Sequence, residues 1–173
     1  MSRPEILVIG AGVVGACVAY RLAEAGARVT VLDAAMPGTG TSSTSFAWIN
    51  SFGKVPREYH DLNVAGMAEH ERLARELSGP WLHRVGNLEW EEEAGQQARL
   101  RATVARLRGW DYAVEMIRPV QALELEPGLS ISPAVEEVAF APRDGYVEVV
   151  PLIGALLAAA GRLGARVLTG RRV

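Results

Sequence analysis

The spacing of apolar residues in the first part of the chain changes from a continuous strand-like run to a helical period and back. This change predicts the order of the first secondary-structure elements. Residues 5–9 form a short β-branched run before a glycine, which is typical of a buried parallel strand. Residues 13–25 have helical spacing and stop at Gly26, and residues 28–32 form a second strand. The apolar face of this helix is predicted to contain Val14, Val18, Leu22 and Ala25. A strand, turn, helix and strand over about 30 residues predict a right-handed βαβ unit.

The rest of the chain alternates loops, helical patterns and short extended runs. Residues 34–45 are rich in glycine, serine and threonine and predict a loop. Helical spacing and proline or glycine boundaries predict helices over residues 56–78, 96–109, 120–125 and 151–163. Apolar runs predict strands over residues 84–91, 113–118, 136–140 and 165–169, with another beginning at Val173.

Composition and charge exclude several classes of protein. The 173 residues, 49% hydrophobic and 22% charged, suit one globular domain or part of a larger protein. A net charge of −2 argues against nucleic acid as the main partner. The single cysteine, Cys17, allows no internal disulfide and no cysteine-based zinc site, and no metal site is expected.

The apolar runs are too short for membrane spans. A transmembrane helix takes about 20 residues, so no transmembrane segment is expected. A signal peptide over residues 6–20 is the alternative, but the residues before this run contain Glu5 beside their one arginine, Arg3, and glycines interrupt the run. A cytoplasmic location is therefore expected.

Three glycines between the first strand and the first helix carry the clearest chemical signal. Gly10 permits a tight turn, Gly12 lets a pyrophosphate approach the backbone, and Gly15 lets the helix pack on the strand. Their spacing is that of the dinucleotide fingerprint Gly-x-Gly-x-x-Gly, and they lie between a predicted strand and a predicted helix.

Two further features agree with a dinucleotide site. The amides near Val13 and Val14, at the helix start, face phosphates along the favourable end of the helix dipole. Asp33 ends the second strand, where a carboxylate binds a ribose diol and repels the 2′-phosphate of NADP. The residues predict a dinucleotide site and leave both FAD and NAD open.

The loop after Asp33 favours the longer flavin nucleotide without deciding the question. Residues 38–45 offer hydroxyl groups for the rest of a dinucleotide, and the apolar residues 46–49 suit a flat flavin ring. A simple surface connection is the alternative.

The fingerprint, Asp33, the Gly-Thr-Ser-Ser loop and the segment Asp144–Pro151 together resemble the FAD-dependent amino-acid oxidases and dehydrogenases. Enzymes that oxidise glycine, sarcosine and D-amino acids belong to this family. The resemblance implies an α/β fold, a Rossmann-like FAD-binding domain with an antiparallel β substrate-domain insert. It divides the chain into an FAD-binding part at residues 1–80, an insert at 81–142 and a return to the FAD-binding domain at 143–173.

The resemblance also implies roles for particular residues. It places the pyrophosphate at Val13 and Val14 within Gly10–Gly15, and the adenosine ribose at Asp33 and Ala34. It implies that Thr41, Ser42 and Ser43 contact the pyrophosphate or the ribityl chain. It implies that Phe46, Ala47 and Trp48 lie near the isoalloxazine. It implies that Val173, at the end of the chain, contacts adenine. The family usually has glutamate in place of Asp33 and often glycine around Ala47 and Trp48.

The implied reaction is oxidation of a C–N bond in an amino acid or related amine, by hydride transfer from the α-carbon to flavin. No catalytic residue is assigned. Family members run to roughly twice this length, the usual scale of a two-domain flavoenzyme. We therefore expect an N-terminal half, either a truncated product or one chain of a split enzyme.

The expected partners are a small amine or amino-acid substrate and a complementary chain or a second copy. Strands near Val85, Val114 and Val138 are expected to lack sheet neighbours. A non-catalytic dinucleotide-binding fragment or subunit and an NAD-dependent dehydrogenase are the alternative functions.

Overall fold

A computed structural model describes residues 3–173, which form two compact units. The first unit contains the residues up to Ala47 together with Glu69–Leu82 and Val147–Val173. The second unit contains Trp48–Ala68 and His83–Tyr146. Residues 48–68 thus group with the predicted insert, and the predicted division at residues 80 and 142 stays a prediction.

Helices and short strands alternate along the described residues. The helices are α1 (Val13–Glu24), α2 (Arg57–Leu77), α3 (Ala94–Arg108), α4 (Pro119–Leu125) and α5 (Val149–Arg162). The strands are β1 (Glu5–Ile9), β2 (Arg28–Leu32), β3 (Trp48–Ile49), β4 (Leu82–His83), β5 (Asn87–Glu89), β6 (Glu115–Ile117), β7 (Val138–Ala141), β8 (Gly145–Val147) and β9 (Arg166–Leu168). No helix among residues 3–173 is both long enough and apolar enough to cross a membrane.

A parallel sheet in the order β1-β2-β9 forms the base of the first unit. The predicted βαβ unit is confirmed, with both strands at their predicted bounds and α1 one residue shorter than predicted. Helix α1 packs against α5, and the proline expected in the first turn of α5 is present at Pro151.

The predicted inner face of α1 is wrong. The buried residues of α1 are Ala16, Ala19, Tyr20 and Ala23, whereas Val14 is 74% exposed and Val18 43% exposed. A Cβ on Gly15 would lie 1.9 Å from the carbonyl oxygen of Gly10, so the absence of a side chain lets the helix start lie against the turn. This close approach orients the helix and directs its small alanines inward.

Strand β1 is also less buried than predicted. Leu7 and Ile9 are 55% and 65% exposed, and within residues 3–173 β1 pairs only with β2. The expectation of a fully buried strand is therefore wrong for one face of β1.

The second unit contains an antiparallel sheet in the order β5-β7-β6. Helix α4 packs on β7. Their buried core consists of Ile117, Ala122, Val135 and Val138. Val114 and Val138 are buried. Strand β7, at Val138, has partners on both sides, so the expectation of missing neighbours is wrong there, whereas β6, beside Val114, pairs only with β7 among the described residues.

The predicted strand over residues 84–91 is reduced to Asn87–Glu89. Val85 lies outside it and is exposed, because Gly86 adopts φ +81° and donates its N–H to the carbonyl of Asp144. Residues 169–173 contain no strand, and the strand predicted to begin at the last residue, Val173, stays a prediction. Antiparallel β3 and β8, which place Trp48 opposite Tyr146, were not predicted.

Candidate functional site

The turn between β1 and α1 depends on two glycines. Gly10 adopts φ +97°, a left-handed conformation that side chains disfavour, and donates its N–H to the carbonyl of Leu32 at 2.7 Å. Gly15 is required because any Cβ there would clash with the turn. The two glycines therefore fix the start of α1 directly after β1.

The hydroxyl loop folds onto the start of this helix. The N–H of Val13 donates to Ser42 Oγ at 3.1 Å, and a Cβ on Gly12 would lie 3.0 Å from the same oxygen. The structure thus brings Ser42 together with Gly12 and Val13, as a shared phosphate-binding role requires. Thr41 and Ser43 lie in the same 3₁₀ turn, Thr41–Thr44, and are exposed.

The first turn of α1 suits an anion. It contains no acidic residue, and its N-terminal N–H groups lie at the positive end of the helix dipole. Val14, next to Val13, is 74% exposed, so the first turn of α1 lies at the surface. The charge of this turn suits a pyrophosphate.

Asp33 is held by two backbone amides that the sequence reasoning missed. The N–H of Ala11 donates to Oδ2 at 2.7 Å, and the N–H of Ala35 donates to Oδ1 at 2.8 Å. These bonds lower the pKa of Asp33, with the bond from Ala11 the larger cause, so the carboxyl is ionised at neutral pH. Each carboxylate oxygen keeps a further lone pair, which a ribose hydroxyl can use.

The last residues of the chain pass beside Asp33. The N–H of Asp33 donates to the carbonyl of Leu168 at 3.0 Å, and the N–H of Arg171 donates to the carbonyl of Asp33 at 2.9 Å. Val173 lies two residues further on and is 77% exposed. Ala34 is exposed beside Asp33, and the adenosine contacts of Ala34 and Val173 stay predictions.

The three residues predicted for the flavin side belong to different units. Phe46, 84% exposed, and Ala47 end the first stretch of the first unit, whereas Trp48 begins the second unit. Ala47 adopts φ +53°, the left-handed conformation that favours glycine. A glycine, which the family often has near this position, would adopt this conformation without strain. Contact of these residues with a flavin stays a prediction.

A buried polar network lies inside the second unit. The hydroxyl of Tyr112 accepts the N–H of Ser51 at 2.8 Å and donates to the carboxylate of Asp144. Ser51 Oγ lies 2.8 Å from His60 Nδ1 and donates to the His60 carbonyl at 3.0 Å. Burial raises the pKa of Asp144 to about 6. The network fixes the segment after β3 against the turn before β8, which gives Asp144 a structural role.

Comparisons with known proteins agree with this geometry. The model of a family described as DAO, FAD dependent oxidoreductase, matches residues 5–173. Glycine oxidase of Geobacillus kaustophilus (strain HTA426) is 28% identical over 173 residues, which cover 94% of this chain and 45% of that protein.

Two solved structures have the same fold. The crystal structure of glycine oxidase from Geobacillus kaustophilus matches 100% of this chain and 48% of its own, with a TM-score of 0.86 and 25% identity. L-proline dehydrogenase from P. horikoshii matches 99% of this chain and 45% of its own, with a TM-score of 0.83 and 25% identity. The chain spans about half the length of these relatives.

Proposed function

This chain belongs to the DAO family of FAD-dependent oxidoreductases, and we propose that it is part of an enzyme that oxidises the C–N bond of an amino acid or related amine. The match confirms the predicted family, the α/β fold with its FAD-binding part, and FAD as the cofactor in place of NAD. The oxidation of an amino acid or related amine is the part that we propose.

The matched relatives carry the substrate proposal. Glycine oxidase and L-proline dehydrogenase are both named for amino acids, and each matches almost the whole of this chain. A secondary or primary amine on an α-carbon is the chemistry that the two names share.

The chain's own residues would hold the nucleotide part of FAD. The glycine turn and the first-turn amides of α1 would bind the pyrophosphate, and the Ser42 hydroxyl, which accepts the N–H of Val13, would lie beside it. Asp33 binds the adenosine ribose through an ionised carboxylate that Ala11 and Ala35 keep in place. FAD, when bound, supplies the acceptor for the hydride that leaves the α-carbon, and the protein binds, orients and excludes water.

Anaerobic flavin reduction tests the proposal. The enzyme that contains this chain is loaded with FAD and mixed in turn with glycine, sarcosine, D-alanine and L-proline, and bleaching of the visible flavin band is recorded. Glycolate, which carries a hydroxyl where glycine carries an amine, is the matched control. We expect at least one amino acid to bleach the flavin and glycolate to leave it oxidised. Bleaching by glycolate alone, or FAD that binds and is reduced by no amine, would contradict C–N oxidation.

A further inference from the structure

Strand β3 contains only two residues, Trp48 and Ile49, which pair with Tyr146 and Gly145 of β8. A ladder of two residues is too short to fix a strand by its own hydrogen bonds. Ala47, the residue before Trp48, adopts φ +53°, and a strained residue persists only where its surroundings hold it. Groups outside the ladder are therefore needed to hold this strand.

The hydroxyl of Tyr112 holds the strand at the end of the ladder. The N–H of Ser51, two residues after β3, donates to this oxygen at 2.8 Å. The same hydroxyl donates to the carboxylate of Asp144, the residue directly before β8. One side chain therefore connects the segment that follows one strand of the pair with the residue that precedes the other.

The three residues of this connection are buried. Tyr112 is 8% exposed, and Ser51 and Asp144 are fully buried. Burial, and then the bond to Asp144, raise the pKa of Tyr112, so the hydroxyl keeps the proton that it donates. The Tyr112 ring lies edge-on against His60, with 5.2 Å between the ring centroids. Loss of the hydroxyl would remove the acceptor of the Ser51 N–H, and a buried N–H without an acceptor costs free energy.

We propose that Tyr112 is a positioning residue that fixes Trp48 through Ser51 and the β3–β8 pair. Trp48 is a residue that we predict to lie near the flavin ring, so in this respect the inference rests on the proposed function. Tyr112 itself needs no contact with flavin or substrate. It lies 61 residues from Ser51 along the chain, so sequence spacing gives no sign of this role.

Tyr112→Phe in the enzyme that contains this chain tests the inference, because it removes the hydroxyl and keeps the ring. We expect the backbone amides of residues 48–51 to exchange with deuterium about ten-fold faster, the size of one buried hydrogen bond. With fluorotryptophan incorporated, the fluorine resonance of Trp48, assigned by its absence in Trp48→Phe, should shift. Asp144→Asn weakens the charge-assisted bond and should give smaller changes in the same direction, which keeps the test decisive if Tyr112→Phe does not fold.

Two controls separate positioning from general loosening of the fold. Tyr59→Phe makes the same change at a tyrosine that is 47% exposed, and it should alter neither the exchange nor the Trp48 resonance. Val135→Ala removes buried carbons from the core between α4 and β7. It should lower the free energy of unfolding without shifting the Trp48 resonance.

Visible circular dichroism of the FAD-loaded enzyme then relates Trp48 to the flavin. Tyr112→Phe and Trp48→Phe should both change the flavin band, and Tyr59→Phe should not.

Three results would overturn the inference. They are an unmoved Trp48 resonance in both Tyr112→Phe and Asp144→Asn, an equal shift in Val135→Ala, and a shifted resonance with an unchanged flavin band. Flavin reduction separates these failures from failure of the proposed function. Changes in the resonance and the flavin band, in an enzyme whose flavin no amine reduces, would support the positioning role and contradict the C–N reaction alone.

Discussion

At the scale of single residues, Asp33 connects the nucleotide site to the turn that forms it. Its carboxylate accepts N–H groups from Ala11 in the glycine turn and from Ala35 on its own loop. Aspartate has a shorter side chain than the glutamate that the family usually has here. The two hydrogen bonds fix the position of its carboxylate after the end of β2. The carboxylate therefore stabilises the turn, and we propose that it also binds the ribose.

We expect Asp33→Ala to weaken ADP binding, because the charge-assisted bond to the ribose contributes about 1.5–3 kcal/mol. Isothermal titration with ADP measures the change as a rise in Kd of about ten-fold or more. Asp61→Ala, which removes an exposed carboxylate paired with Arg57, is the control and should leave ADP affinity unchanged. Equal ADP affinities for Asp33→Ala and the unmodified chain would remove Asp33 from the site.

Ala47 gives a second prediction at this scale. An L-residue at φ +53° is strained and glycine is not, so Ala47→Gly should raise the free energy of unfolding by up to about 1 kcal/mol. Ala47→Val should lower it, because a β-branched side chain fits this conformation poorly. Ala25→Gly, at φ −73°, is the matched control and should not stabilise the chain. Urea unfolding measures all three, and a loss of stability in Ala47→Gly would contradict the strain.

At the scale of elements, hydrophobic periodicity was sufficient to predict β1, α1 and β2 and insufficient to orient α1. The helix face is set by the contact of Gly15 with Gly10, and the alanines that it buries are too weakly hydrophobic to mark a face. Strands of two or three residues, such as β3, lack the length in which a period of two becomes visible.

Some features of the candidate site could likewise be predicted from the sequence and others could not. The glycine spacing and the acid after β2 are patterns in the sequence, so they predicted the phosphate and ribose positions. The bonds from Ala11 and Ala35 to Asp33, and the contact of Ser42 with Val13, arise from turn geometry.

The buried network of the second unit gives the prediction for this scale. The folded-state pKa of Asp144, about 6, lies above its unfolded value, so the folded state binds the proton more tightly. Its contribution to stability is therefore complete below about pH 4 and is lost as the pH rises through about 6. The loss of free energy of unfolding is on the order of 3 kcal/mol.

Asp144→Asn removes the titration while keeping an acceptor for the Tyr112 hydroxyl. We expect the variant to lose less free energy of unfolding than the unmodified chain between pH 4 and pH 7. Urea unfolding at several pH values measures both slopes, and Asp61→Asn serves as the exposed control. Identical slopes for Asp144→Asn and the unmodified chain would contradict the buried titration.

At the scale of the whole molecule, β1 is an edge strand of the sheet of the first unit and carries exposed apolar side chains. Within residues 3–173 β1 has a partner on one side only, and Leu7 and Ile9 on it are exposed. An open strand edge with apolar side chains promotes association with another chain. Among the described residues the strands beside Val85 and Val114, β5 and β6, also pair on one side only, as the sequence suggested.

We expect the purified chain to self-associate through this edge. Leu7→Lys and Ile9→Lys should increase the monomer fraction in sedimentation velocity at equal concentration, since a charge on an edge strand opposes pairing. Val173→Lys changes an equally exposed apolar residue outside the sheet and should have no effect. A chain that is monomeric without substitution would contradict this role of β1.

ADP binding to the glycine turn is the measurement that tests the central claim most directly. ADP contains the pyrophosphate and ribose that the first unit is proposed to hold, so it requires no flavin contacts. Gly12→Val places a side chain where the pyrophosphate approaches and crowds Ser42 Oγ, and Gly95→Val, where a Cβ meets open space, is the control. We predict saturable ADP binding by the unmodified chain and by Gly95→Val, and none by a folded Gly12→Val. ADP binding by Gly12→Val at normal affinity, or no binding by the unmodified chain, would contradict the nucleotide site.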